Sequence, residues 1–284
     1  MRFLQEQVRF PTLCLTLMLL TSISAGTSRA AQSKAVEVPL MPYFEDLRTA
    51  TVEIGGEKVP FLLDTGGGIT ILTPATVAKL GVKPFGQVTG FRFNGEKLIG
   101  QRCGPVVLRI GGEDLRCEAA VMDLEPLGVK GVGGILALQT FEGRAITLDV
   151  GGNRLILESS KSMKQRVAHM RELTVRAERQ CAGAALDLYA RALASDGDLW
   201  LELDCGSTQP VLLAPHAYRQ LGMQVAGSDA AAVRLELAGL EPMTVDARPA
   251  DAICDGLLNS AFFRQRLVTF DLKAIRVWVA SRES

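Results

Sequence analysis

The sequence predicts an all-β protein of two similar β-barrel-like lobes with a cleft between them. Three observations carry that prediction. First, Gly134 to Glu158 aligns with Gly256 to Ala280 over 25 positions without a gap, at an offset of 122. Seven of those positions are identical, among them Phe141 and Phe263, Thr147 and Thr269, and Asp149 and Asp271. Such self-similarity marks a repeated structural unit. Second, short β-branched runs flank pairs of glycines, which is how hairpins read in sequence. Third, helical spacing is confined to three short pieces near 74–80, 215–221 and 260–265, too little helix for a mixed fold.

Taken in order, residues 1–30 read as a secretory signal. Arg2 and Arg9 form a basic start, Leu13 to Leu20 an apolar run, and Ser28-Arg29-Ala30 a small-residue cleavage site. The expected compartment is therefore periplasmic or secreted. The apolar run is short for a span, so no stable membrane anchor is expected once the signal is removed. Residues 31–45 read as a short pro-segment or as a first strand.

The first lobe is assigned to 31–158. Thr49 to Ile54 and Val59 to Leu63 flank Gly55-Gly56. Val106 to Ile110 and Leu115 to Met122 flank Gly111-Gly112. Ala145 to Val150 and Arg154 to Leu157 flank Gly151-Gly152. Residues 159–180 form a linker in which basic residues outnumber acidic ones. It reads as solvated chain, with Leu173 and Val175 alternating with charges as in a strand. The second lobe is assigned to 181–284, with strands over 186–193, 199–203, 233–237, 268–272 and 275–279.

Composition narrows the function. The chain has 284 residues, 31 basic and 31 acidic, and is 48% apolar. Zero net charge argues against nucleic-acid binding, and the apolar content argues against disorder. Only His169 and His216 are present. That argues against a multi-histidine metal site and leaves few bases for a serine or cysteine triad. No metal or organic cofactor is expected. Beyond the signal, five cysteines remain: Cys103, Cys117, Cys181, Cys205 and Cys254. Five is odd, so at least one thiol lacks an intramolecular partner. Cys205 reads as a small packing residue or as a partner for Cys254 or Cys181; Cys103 and Cys117 pair if the hairpin register allows. The glycine runs at 66–68, 111–112 and 151–152 lack the lysine and following helix of a phosphate loop.

The chemistry points to two aspartates. Phe61-Leu62-Leu63-Asp64-Thr65-Gly66 matches Leu201-Glu202-Leu203-Asp204-Cys205-Gly206, and each is followed by a proline, a short helix and Leu-Gly. Each aspartate ends an apolar strand, where an unpaired charge is costly. If the lobes pack about a pseudo-twofold axis, Asp64 and Asp204 face each other and share one proton. Such a pair can deprotonate a water and protonate a leaving amine.

Here the sequence resembles the pepsin-like and retropepsin-like aspartic proteases. Asp64-Thr65-Gly66 and Asp204-Cys205-Gly206-Ser207 look like the family's paired D-T-G-S signatures. Ile135-Leu136-Ala137 and Leu257-Leu258-Asn259 resemble its hydrophobic-hydrophobic-glycine elements. The resemblance spans roughly residues 45–280. It implies Asp64 and Asp204 as catalytic residues and Thr65, Gly66, Cys205, Gly206 and Ser207 as support for their loops. It implies a flap as well. The stretch from Asp64 to Gly134 is 18 residues longer than that from Asp204 to Gly256, and the excess falls around Val88 to Glu96. Phe91 and Phe93 there would cover the substrate, or else belong to an ordinary surface hairpin. The departures are Gly67, Cys205, Ala137 and Asn259, and the absence of a flap tyrosine. The implied function is an aspartic endopeptidase, a monomer with pseudo-twofold lobes acting on peptide or protein. The alternatives are a non-catalytic protein of the same fold that binds peptides or a partner, and an envelope scaffold.

Overall fold

The structure is a computed structural model, and residues 34–208, 210–224 and 229–282 are described. The signal assigned to residues 1–30 lies outside them. The chain begins with β1 (Val36–Pro42), β2 (Arg48–Ile54), β3 (Glu57–Leu63), β4 (Thr70–Leu72) and α1 (Pro74–Leu80). Then come β5 (Phe85–Phe91), β6 (Lys97–Ile110), β7 (Glu113–Val121), β8 (Gly134–Leu136), β9 (Ala145–Asp149) and β10 (Arg154–Leu157). The connecting region holds α2 (Ser160–Val167), β11 (Arg171–Leu173) and β12 (Val175–Glu178). After it lie β13 (Asp187–Ala192), β14 (Leu199–Leu203), β15 (Val211–Leu213), α3 (Pro215–Gln220), β16 (Ala231–Leu235) and β17 (Met243–Pro249). β18 (Gly256–Leu258), α4 (Ser260–Arg264), β19 (Arg266–Asp271) and β20 (Arg276–Ser281) end the fold.

Local chemistry explains these elements. Gly55 and Gly56 take φ of 59° and 85°, so β2 and β3 close a tight hairpin with Ile54 level with Glu57. Positive φ at both turn residues matches the strand twist and favours glycine. Helix α1 starts at Pro74, is capped by the Thr73 side chain on Thr76 N–H, and ends at Gly81 in the left-handed region. Helix α2 lies in the stretch expected to be solvated chain. It buries no residue, and a capping box between Ser159 and Ser162 starts it. Without an apolar face it has no periodic signal to read. Ile275 takes φ of 55° in the last hairpin, so the final strand begins at Arg276.

The same pairings occur in both halves. β3 runs parallel to β8, which pairs antiparallel with β4, which runs parallel to β7. β14, β18, β15 and β17 repeat that pattern. A six-stranded layer joins the halves in the order β1–β10–β9–β19–β20–β11. β9 and β19 meet at its centre in antiparallel register, with Thr147 opposite Thr269. These are matched positions of the repeat, and an antiparallel pair of matched residues is what a local twofold axis requires. The Thr269 and Thr147 hydroxyls lie 2.8 Å apart, and the Thr147 hydroxyl donates to Glu158 Oε1 at 2.7 Å. The second half therefore gives its last two strands to a layer shared with the first. The connecting region also contributes strands to both sheets, β11 beside β20 and β12 beside β13.

β1 is built into this layer between β10 and β2, so residues 36–42 form a first strand. Phe141 and Phe263, matched in the repeat, are almost fully buried, and Phe263 stacks on Phe270 with centroids 6.5 Å apart. No helix among the described residues is long and apolar enough to cross a membrane.

Candidate active site

The parallel pairs β3–β8 and β14–β18 deliver one aspartate each. Directly after its strand, Asp64 N–H donates to Leu136 O at 3.0 Å, and Asp204 N–H donates to Leu258 O at 2.9 Å. Each carboxylate is then fixed by the amide two residues on. Gly66 N–H donates to Asp64 Oδ1 at 3.0 Å, and Gly206 N–H to Asp204 Oδ1 at 2.7 Å. These are Asx-type turns, which hold the side chain without a second partner.

The two loops interlock. A Cβ at Gly206 would lie 2.3 Å from Asp64 Cγ, and one at Gly66 would lie 2.8 Å from Asp204 Cγ. Each glycine is thus the floor on which the opposite carboxyl rests. The Asp64 and Asp204 carboxyls are thus set close together in buried surroundings, where two adjacent carboxyls cannot both ionise freely. Burial raises both above the ordinary aspartate range, and the charge of Asp64 raises Asp204 further.

Thr65 ties the loops together. Its buried hydroxyl donates to Leu203 O at 2.6 Å and accepts from Cys205 N–H at 2.9 Å. The reciprocal contact is weaker: the Cys205 thiol reaches Leu63 O at 3.5 Å. Thr65→Val would leave a buried N–H and a buried carbonyl unpartnered, at a cost of about 1–3 kcal/mol in thermal or chemical denaturation. Cys205→Thr supplies the stronger donor and is expected to gain about 1 kcal/mol in the same assay.

The other expected residues are placed as follows. Ser207 is half-buried, and its carbonyl accepts from Ser260 N–H at 2.9 Å. A Cβ at Gly67 would stand 3.3 Å from Asp64 Cγ, so its missing side chain leaves that flank of the carboxylate without a hydroxyl. Ala137 and Asn259 follow β8 and β18, and Asn259 caps α4 through Phe262 N–H at 3.4 Å. β5 and β6 form the expected hairpin, with Arg92 to Glu96 as its turn. At the turn, Phe93 is half-buried and its carbonyl accepts from Ile253 N–H of the second half at 3.0 Å. Phe91 is 51% exposed. The Cys181 thiol donates to Thr89 O at 3.4 Å, anchoring the hairpin's flank.

The five described cysteines are all free thiols. Cys103 pairs in register with Ala119, and a bulge at Gly104-Pro105 sets Cys117 opposite Val106, so the two cysteines are out of register. Cys205 finds neither Cys254 nor Cys181. Burial, then the charge of Asp64, pushes its thiol up to about 12, which denies it a thiolate. His216 is on the exposed side of α3, 2.9 Å from Asp255, and His169 is exposed. Neither histidine joins the dyad.

Sequence reasoning missed two carboxylates near the pair, Asp187 and Glu202. Asp187 is 4% exposed, and burial, then the charges of Asp64 and Glu178, push it up to about 7. The folded chain therefore keeps this proton through a range where the unfolded chain, with a value near 3.8, has lost it. Its contribution to stability is complete below about pH 3.8 and is lost as pH rises through about 7. The span of about three pH units corresponds to about 4 kcal/mol. Asp187→Asn is expected to gain that amount on the wild type in urea denaturation at about pH 8, and almost nothing at about pH 4. Equal differences at both pH values would refute the assignment.

Comparison with known proteins follows the same lines. Residues 50–139 match the family model described as aspartyl protease. That span includes Asp64-Thr65-Gly66 and β8. No curated protein matches the sequence. Among solved structures, the crystal structure of basic 7S globulin from soybean is similar with a TM-score of 0.60 and 9% identity. The likeness covers 88% of this chain and 95% of that one, and at such identity it speaks for the fold. The chain thus matches the aspartyl-protease model over residues 50–139 and, across its described residues, has the two-lobed acid-protease-like fold.

Proposed function

We propose that this protein is an aspartic endopeptidase acting on peptides or proteins outside the cytoplasm. The observation that carries the reading is the closely set carboxyl pair Asp64–Asp204 at the interlocked ends of two matched strands. In the singly protonated pair, the ionised carboxylate takes a proton from a water lying between the two. The hydroxide formed attacks the substrate carbonyl carbon, while the protonated partner donates to the carbonyl oxygen. The proton taken from the water then passes to the leaving amine, one hydroxyl of the tetrahedral diol returns its proton to the partner carboxylate as the C–N bond breaks, and the pair again holds one proton. Buried surroundings keep that proton on the pair and strengthen each of these contacts. The substrate would lie as an extended strand under the β5–β6 hairpin, bound through its backbone. The hairpin tip must lift from Ile253 to admit it. One chain supplies both aspartates, which supports a monomer as the working unit.

Gly67 favours a second reading, a protein that binds peptides in the same cleft with weak or no turnover. It leaves one flank of Asp64 without a side-chain donor. The experiment that separates the two is cleavage of a peptide library by residues 31–284, read by mass spectrometry from acid to neutral pH. Defined cuts support the endopeptidase. No cut at any pH from folded protein, with peptides retained, supports the binder. The basic start and apolar run of residues 1–30 support export to the periplasm or medium, testable by fractionating cells that express the full chain.

A further inference from the structure

The two halves differ at the floor beside the dyad. In the first half, Thr49 is level with Leu62, which places Leu47 beside Asp64. Leu47 and Leu62 are 8% and 3% exposed and belong to an apolar cluster with Ile71 and Ile135. In the second half, Tyr189 is level with Glu202, which places Asp187 beside Asp204. Leu212 and Leu257 stand where Ile71 and Ile135 stand, paired in the same register. The leucines nearest the aspartate, however, are replaced by Asp187 and Glu202.

A carboxylate is an expensive substitute for a buried leucine unless it meets a cation. Among the described residues no cation pairs with either, and the charges that act on them are all negative. Arg176 on the neighbouring strand pairs with Glu178 at 2.8 Å and covers the rings of Tyr189 and Trp200. Arg191, further along β13, sits 2.8 Å from Asp198. Asp187 Oδ1 is buried without a hydrogen-bond partner, and the Gly68 amide at the end of the Asp64 loop is the one group that eases the charge of this carboxyl among those acting on it. Glu202 is half-buried on the same face of the sheet.

From this geometry we propose that Glu202, backed by Asp187, forms a subsite on the second lobe's side of the dyad that selects a lysine or arginine side chain of the substrate. The inference rests on the cleft reading above. It adds the class of side chain that the cleft accepts. The guest ammonium or guanidinium supplies the counter-charge that the chain omits, and Tyr189, Leu212 and Leu257 offer an apolar wall to its methylenes.

The test uses pairs of quenched fluorescent peptides that differ at one residue, lysine against norleucine, scanned on both sides of the cut. For the wild type at neutral pH, kcat/KM is expected to favour lysine by about tenfold or more at one position. The lysine-to-norleucine ratio should fall to near one in Glu202→Gln and decrease in Asp187→Asn. Glu202→Leu, which restores the first lobe's residue, replaces the glutamine variant should that one not fold. A ratio near one at every position in the wild type, or a ratio that survives in the double variant, overturns the proposal. Should no peptide be cut, the protease reading fails on its own. Fluorescence anisotropy of the same labelled peptides on the wild type then decides: tighter binding of the lysine peptide upholds the subsite, and equal binding overturns it.

Discussion

Asp64→Asn and Asp204→Asn are each expected to lower kcat/KM for a cleaved peptide by about 10²–10⁴-fold, the range for loss of a positioned acid or base. Asparagine keeps the volume and the hydrogen bond from Gly66 or Gly206, so the loop geometry survives. What is lost is the ability to share and move one proton. The same variants remove a buried acid whose ionisation is disfavoured, so their melting temperatures should equal or exceed that of the wild type at neutral pH. Loss of activity together with loss of stability would mean that the aspartates are structural. Loss of activity in one variant alone would mean that the two do not act as a pair.

Gly206→Ala is expected to be nearly as damaging, through displacement and with both carboxyls still present. A methyl at that position would stand 2.3 Å from Asp64 Cγ and 2.4 Å from its Oδ1. No side chain tolerates that approach, so Asp64 or the loop must shift. A shift of about 1 Å in a catalytic group costs about 10²-fold in rate, and forcing the methyl into a packed site costs about 1–3 kcal/mol in stability. Gly66→Ala meets Asp204 Cβ and Cγ at 2.8 Å and should be milder. Steady-state kinetics and thermal denaturation of the two variants check the order. If Gly206→Ala is as active as the wild type, the interlocked geometry is wrong.

Much of this arrangement was legible in the sequence because the repeat is written twice. Matched Thr147 and Thr269 gave the offset, and the structure pairs them across the centre of the shared layer. Glycines at turns and the Thr73-Pro74 start of α1 are local signals that tertiary context did not override. Two features escaped. Helix α2 has no buried side, so nothing periodic announces it. Asp187 and Glu202 carry no motif. Glu202 stood in plain view in Leu-Glu-Leu-Asp, opposite Leu62 of the first copy, but its meaning depends on strand register. Register places it beside Tyr189 and brings Asp187 level with Asp204, and no spacing along the chain encodes that neighbourhood. The reach of the hairpin tip to Ile253 is equally non-local, since 160 residues of chain separate Phe93 from Ile253.

The central claim is that Asp64 and Asp204 work as one singly protonated pair. Its most direct test is the pH dependence of kcat/KM for one cleaved peptide. The rate should rise as the first proton leaves the pair and fall as the second leaves, giving a bell. The alkaline limb should lie well above the range of an ordinary aspartate, because burial and the charge of Asp64 hold the last proton on Asp204. A profile with a single limb, or a folded protein that cuts nothing at any pH, would contradict it.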